Sequence, residues 1–556
     1  MRHRGSTGHQ TGLSAWRVAL WCLCALGLFG LVWLLYLSSV HSLPPSSDGA
    51  TVILEGQAMS NGNVLLNHWA LSLDSFWLVD VPIYALAVLI GGVHHQLLNL
   101  VPAIEATGVI ATGAWIAQRG HRHLAGFFAA GTVVVVLGLP THAFAGYLLL
   151  GPLHVATTLW CLVAFAAVRR GRFGWGWLAA VVILAAGMLG DFQTLVLGVI
   201  PIGLAGITAS LRSRSLRAGA AGVAASLASA VLAEVVRRVA RLWGTFAVAP
   251  ANPRAPFHQM IINLHHVVTY GAALQGVGSD IFGPPSLSPV VQAAHAVGLA
   301  LGIVAVALGL GSILRGAITG REPYVSGEAD GWKRRETVFL EDAMVFGFLL
   351  GCGTFVWLSL TSSIAFGRYL TAATIFGAIL AGRLVGKIAE RAEEIWQRAL
   401  LTGVALLVVA GCATSFVSSI TATAPVQPVS QLASYLEQHH LTKGIGDYWS
   451  ASIVTVVSSD AVVVRPVSTL AGGQQIGRYL RQSSSSWYGG GFQFLVYNAV
   501  VPWDDVDGQS AVESFGLPRH TAVVGRWRVL TWAHDLTIRT DGTFAPQPWA
   551  TKRRGG

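Results

Sequence analysis

Charge is what this 556-residue sequence has least of: Asp, Glu, Lys and Arg make up 11% of it, against a hydrophobic share of 53%. A soluble chain carries about a quarter charged residues, so most of this one is built for lipid. Cysteine is scarce as well. Cys22, Cys24, Cys161, Cys352 and Cys412 all lie inside apolar stretches. Cys22 and Cys24, two apart on a helix, point away from each other, so they read as small apolar helix residues without metal-ligand spacing. No GxxxxGK[ST] pattern occurs, which leaves ATP-driven transport without support. Internal repeats and long low-complexity tracts are missing too. The net charge of +10 does not point to nucleic acid, because the basic residues cluster in short runs between apolar segments, the signature of membrane orientation.

What the sequence does have is apolar runs. Val18 to Leu37 is an unbroken stretch of 20 behind a basic N-terminus with Arg2, Arg4 and Arg17. That is enough to cross a hydrocarbon core, and with no A-x-A site after it, it reads as an uncleaved anchor. Further crossings are expected at about 97–116, 124–139, 145–168, 175–189, 195–211, 218–236, 290–314, 343–360, 366–381 and 400–420, which makes about eleven. Val81 to Val93 is too short to span and is expected to lie at the interface. Of the 36 Lys and Arg residues, 20 fall in segments that this topology puts inside, five in its outer loops and 11 in the tail. The positive-inside rule then sets the N-terminus in the cytoplasm and the tail outside a plasma membrane. The outer loops are 41–96 and 237–288, and residues 41–80 hold no Lys or Arg at all.

The expected organisation is a cytoplasmic segment 1–17, a membrane domain 18–420 and an extracytoplasmic α/β domain 421–556. In the last, Ser430 to His440 has helical periodicity. Ser452 to Val457, Ala461 to Val467 and Phe492 to Val501 read as strands, and SSSSWYGGG at Ser483 to Gly491 as a mobile loop. Trp449, Trp487, Trp503 and Trp527 lie among Asp447, Asp504 and Asp505. Aromatics beside carboxylates suit sugar binding, though a small domain needs aromatics for its core as well.

This topology brings Asp74, Asp80, Asp191, Asp280 and Arg368 to the outer face from distant parts of the chain. A carboxylate held there could act as general base toward a hydroxyl, and a guanidinium beside it could hold a phosphate in bidentate fashion. The alternative for Asp80, just ahead of Val81-Pro82, is that it caps the interfacial helix. Glu234, Arg237, Arg238 and Arg241 share one helix face, as either a phosphate landing strip or a Glu234–Arg238 pair with interfacial snorkelling. Glu105 and His154 lie inside expected crossings, where an ionisable residue has either a function or a partner within the bundle.

The order of a basic N-terminus, one anchor, a D-x5-D outer loop (LSLDSFWLVDVPIY, Leu71 to Tyr84) and then VPIYALAVL resembles the C-type (GT-C) membrane glycosyltransferases. Within them it is most similar to the dolichyl-phosphate-mannose and aminoarabinose transferase group. GDFQTLVLG at Gly190 to Gly198 looks like that group's second acidic turn, and GRYLTAA at Gly367 to Ala373 like its late R-Y-L element. One departure is Pro140-Thr141-His142, where the kin often have Thr-Pro-Asp. The resemblance covers most of residues 1–420. It implies transfer of a sugar, a hexosyl group, from a polyprenyl-phosphate donor to an extracytoplasmic glycan, lipid or protein acceptor, with inversion. It further implies Asp74 as base, Asp80 as an alternate or metal-supporting carboxylate and Asp191 as an acceptor- or metal-side acid, with a divalent cation as an optional cofactor. Arg368, and more weakly Arg254 and His258, would bind the donor phosphate. The alternative function is a transporter or flippase for a lipid-linked saccharide.

Overall fold

The computed structural model describes residues 9–168, 173–249, 254–277, 287–320, 328–358, 364–422, 428–470, 475–500 and 505–538. A helix lies at each of the eleven expected crossings. The chain opens with α1 (His9–Ser42), α2 (Ser47–Ser60), a short strand β1 (Trp69–Leu71), α3 (Val81–Gly91) and α4 (Leu97–Gln118). There follow α5 (His123–Gly138), α6 (His142–Leu149), α7 (Val155–Val168), α8 (Trp175–Gly190), α9 (Ile200–Ser213) and α10 (Leu216–Leu242). Then come β2 (Ala247–Val248), α11 (Phe257–Leu274), α12 (Pro289–Thr319), α13 (Glu328–Trp357), α14 (Thr371–Arg391) and α15 (Ile395–Thr421). Among the described residues eight of these helices are long and apolar enough to cross a membrane, and nine spans result if the bent pair α5–α6 counts as one. The chain is a polytopic α-helical membrane protein with a C-terminal α/β domain.

Local chemistry explains the breaks. Pro140 cannot continue α5, and Thr141 caps α6 by accepting the Phe144 N–H at 3.1 Å, so the two helices meet at 87°. The expected crossing 145–168 is therefore not one helix. It is interrupted at 150–154, around Gly151-Pro152, and α7 begins only at Val155. Small residues set the helix spacing: α9 and α10 approach so closely that a Cβ at Gly219 would run into the Gly206 carbonyl.

The C-terminal domain comprises α16 (Pro428–Gln438), β3 (Lys443–Gly446), α17 (Tyr448–Val457), β4 (Val463–Thr469), β5 (Ile476–Arg478), β6 (Ser483–Ser484), β7 (Phe492–Asn498), α18 (Gly508–Phe515), β8 (His520–Val524) and β9 (Trp527–Leu536). Six strands form a sheet in the order β5-β4-β3-β7-β9-β8, with β3 parallel to both its neighbours. Two expectations fail here. Ser452 to Val457 is helical, because Asp447 caps α17 by accepting the Ser450 N–H and the helix packs between the sheet and α2; tertiary burial overrides the β-branched run. The SSSSWYGGG segment is not a free loop either: Ser483 and Ser484 form β6, and Tyr488 is buried.

The domain is fastened to the first loop. β6 pairs antiparallel with β1, which pairs on its other edge with β2. The Tyr448 hydroxyl donates to Asp48 at 2.5 Å, Gln57 donates to Asp460 at 2.8 Å, and Arg478 donates to the His68 carbonyl at 3.1 Å. Trp69 meets Trp487 edge to face with centroids 4.7 Å apart. The domain thus sits on the same end of the bundle as the loop that carries Asp74 and Asp80.

Candidate active site

The loop between β1 and α3 is shaped by backbone bonds. The N–H groups of Val79, Asp80 and Val81 all point at the Phe76 carbonyl, and Phe76 itself takes a positive φ of 55°. Such strain persists only where the surroundings impose it. They do so at the end of α8, where the Gly190 carbonyl accepts the Phe76 N–H at 2.6 Å and the Ser75 hydroxyl at 3.2 Å. A side chain at Gly190 would strike Val79 and the Leu78 backbone, so only glycine allows this approach. The two acidic motifs, whose bonded residues Ser75 and Gly190 are 115 apart in the chain, are in this way stitched together.

Asp191 follows at once, fully buried. One carboxylate oxygen accepts the Gln193 N–H at 2.9 Å. The other accepts the Thr157 hydroxyl and the Nδ1–H of His154, the latter at 2.7 Å. His154 stands at the break before α7 with φ +67°, and Thr157 is three residues on, one turn into the same helix. A π-helical turn, Leu195–Val199, follows the Asp191 corner before α9, a feature common at functional sites.

His154 is the hub of the arrangement. Its ring lies 5.8 Å from Phe76 on the first loop and 5.3 Å from Tyr369 on the late R-Y-L element. Asp74 joins it: one ligating atom from each of Asp74, His154 and Asp191 lies within 4.8 Å of the others. Two carboxylates and an imidazole at that spacing would suit a divalent cation. Arg368, in the 3-10 turn Ile364–Leu370, is near enough for its charge to act on Asp74.

The environments drive the two acids apart. Burial and then the charge of Asp191 push the Asp74 carboxyl up to about 7, against the opposing pull of His154 and Arg368. Burial works on Asp191 in the same sense, but the His154 imidazole, with the Thr157 and Gln193 hydrogen bonds, outweighs it and holds Asp191 below the usual carboxylate range. One acid kept ionised beside another poised near neutrality is the division of labour expected of a charge stabiliser and a proton acceptor. Asp74 is also the member of the trio that keeps some solvent exposure.

The other sequence candidates lie elsewhere. Asp80 is wholly buried, makes no side-chain cap to α3, and neither of its oxygens has a hydrogen-bond partner among the described residues. Arg254 lies over the Trp357 ring at 5.2 Å, and His258 is exposed near the start of α11; neither touches the Asp74 group. Asp280 falls outside the described residues. Glu234 pairs with Arg237 at 2.9 Å and Arg238 at 2.8 Å, so that face carries the Glu234–Arg238 pair. His154, Thr157 and Tyr369 are the members that the sequence reading did not place in the site.

Two residues beyond Arg368 begins the wall of an apolar cavity of about 340 Å³, lined among others by Val267, Gly271, Gly302, Phe348, Leu370 and Gly377. It is bounded by α5, α11, α12, α13 and α14.

No family model matches the sequence, and no curated protein sequence does. Among solved structures, ArnT from Cupriavidus metallidurans in the apo state is similar over 92% of this chain and 98% of its own, at 12% identity and a TM-score of 0.45.

Proposed function

We propose that this chain is a GT-C-type membrane glycosyltransferase that moves a sugar from a polyprenyl-phosphate carrier to a hydroxyl acceptor outside the cell. The observation that carries the reading is the meeting of Asp74, His154, Asp191 and Arg368, from four separate segments, on the end of the bundle that holds the C-terminal domain. Asp74 is the general base. It takes the acceptor's proton as the acceptor oxygen bonds to the sugar's anomeric carbon. The bond from that carbon to the phosphate oxygen breaks, and its electron pair leaves on the phosphate, which inverts the centre. Arg368 faces the charge that builds on the leaving phosphate. His154 and Asp191 hold the base in place and set its proton affinity. The cavity beside Arg368 takes the first units of the prenyl chain, since its walls offer apolar contact and almost no polar groups. A divalent cation, if bound, would sit on Asp74, His154 and Asp191 and supply further positive charge to the same phosphate. The N-terminus is cytoplasmic, and the tail domain, residues 421–556, lies outside and helps to shape the acceptor entrance.

The test uses full-length protein in sealed proteoliposomes loaded with a labelled polyprenyl-phosphate hexose, with lipid- or glycan-linked acceptors outside. Label moving to the acceptor supports the transferase. Label appearing in the opposite leaflet still on its carrier, with no transfer, replaces that reading with a transporter.

A further inference from the structure

Behind the site lies a group of acids that the transfer mechanism does not use. Asp80 and Tyr84 are four apart on α3 and so share one face of it. Glu105 comes from α4, which packs on α3, and Glu55 from α2, which packs on α3 more closely still. The closeness is enforced at Gly56, where a Cβ would clash with the backbone of Tyr84 and Ala85. All four side chains are at most 2% exposed. Both oxygens of Asp80, both of Glu105, one of Glu55 and the Tyr84 hydroxyl have no hydrogen-bond partner among the described residues.

Six orphaned polar atoms in one buried region need an explanation, since native interiors leave very few. An ion pair does not provide it. Burial and then the charges of Asp80 and Asp48 push Glu55 well above the usual carboxylate range, and burial and then Asp191 push Asp80 up to about 8, with His154 alone opposing. No lysine or arginine offsets them. A resident metal fits poorly too, because among the described residues only Asp74, His154 and Asp191 come close enough together to share one. What remains are protons and the water that bridges them. Pro102, three residues before Glu105 in α4, adds to the wet character, because it cannot donate to the Leu98 carbonyl one turn earlier.

We propose that Glu55, Asp80, Tyr84 and Glu105 form a buried, water-bridged proton store that takes up the proton which the base removes from the acceptor. At neutral pH Glu55 and Asp80 hold protons. In turnover the acceptor's proton enters this row through water while a proton already there leaves it through water, so the row ends as it began. Only O–H bonds are made and broken, and no electrons move. The store itself does not depend on the transferase reading, but its use in turnover rests on it.

Infrared titration of the purified full-length protein in nanodiscs separates the two. The expected result is a protonated-carboxyl band at pH 7 that fades only at alkaline pH. In Glu105→Gln, where the amide keeps the shape of the acid, that band should weaken and its remainder should shift, because the acids share protons. Asp80→Asn should shift it likewise. A remainder that keeps its position, or no protonated-carboxyl band at pH 7, overturns the proposal. So does a band abolished by adding sodium or magnesium to metal-stripped protein, which would make the row a cation site. In the transfer assay, Glu105→Gln should lower kcat roughly tenfold and enlarge the solvent isotope effect at unchanged KM. A wild-type isotope effect in that variant sinks the catalytic use. Absence of transfer in the wild type would sink the transferase reading while leaving the infrared result to judge the store.

Discussion

The two ends of the helical bundle hold buried charge in opposite ways. At the end away from the C-terminal domain every buried acid described has a cationic partner. Asp342 and Arg212 form a bidentate pair, with Oδ1 to Nη2 at 3.0 Å. Glu341 bonds Arg383 at 2.8 Å and Lys387 at 2.7 Å, and Glu336 bonds Arg119 at 3.1 Å. The Arg383 guanidinium goes on to the carbonyls of Ile116 and Arg119 and so ties the end of α4 to α14. At the domain end, by contrast, Asp74 is left poised, and the carboxylate oxygens of Asp80 and Glu105 have no hydrogen-bond partner among the described residues. A bundle that neutralises its acids where they only hold helices together, and leaves them uncompensated where loops converge, keeps its reactivity at one end.

That contrast can be broken by substitution, with the largest effect expected at Asp74. Asp74→Asn should fold and melt as the wild type does, yet lose roughly a hundred- to ten-thousandfold in kcat for sugar transfer. Arg212→Met should do the reverse. It leaves the buried Asp342 carboxyl without its cationic partner, at a cost of about 3–5 kcal/mol, seen as a large drop in thermal midpoint, with transfer per folded molecule unchanged. The double variant Arg212→Met/Asp342→Leu should recover most of that stability. If the double variant stayed as unstable as the single one, the inner pair would have a role beyond compensation. Tyr448→Phe, which unfastens the domain from Asp48, should cost only about 1 kcal/mol. A double-mutant cycle with Asp48→Asn measures that coupling directly. Glu234→Gln, on an exposed helix face, should change neither stability nor transfer measurably.

Much of this was legible in the sequence because membrane chains are written in long words. Helix lies at all eleven apolar runs, though the run 145–168 is broken at 150–154, and the acidic and R-Y-L motifs fall at helix ends on one side, where Asp74, Asp191 and Arg368 come together. His154 was harder to see. The run from Ala145 to Val168 holds no Asp, Glu, Lys or Arg and this one histidine, and it reads as one helix with a buried imidazole. The signal lay in Gly151-Pro152, which breaks the run and turns an intramembrane position into a loop position facing Asp191. Asp80 shows the opposite error: its place before Val81-Pro82 is that of a helix cap, but its side chain makes no such bond. Nothing in a single sequence says which of two acids six residues apart keeps access to solvent. In the tail, the β-branched run at Ser452 to Val457 misled because its helix is set by the Asp447 cap and by packing on α2, contacts of long sequence separation.

The dependence of transfer on pH tests the central claim most directly, because it reports the base and its neighbours together. Asp74 must be ionised to accept a proton, and burial with the charge of Asp191 pushes its carboxyl up to about 7, so kcat should rise with pH through that value. His154→Gln removes a positive partner and should carry the rising limb to higher pH, whereas Asp191→Asn removes a negative one and should carry it lower. A limb near pH 7 that moves in these two opposite directions, and that disappears in Asp74→Asn, is the result this account predicts. A limb that survives in Asp74→Asn, or that ignores both neighbours, contradicts it.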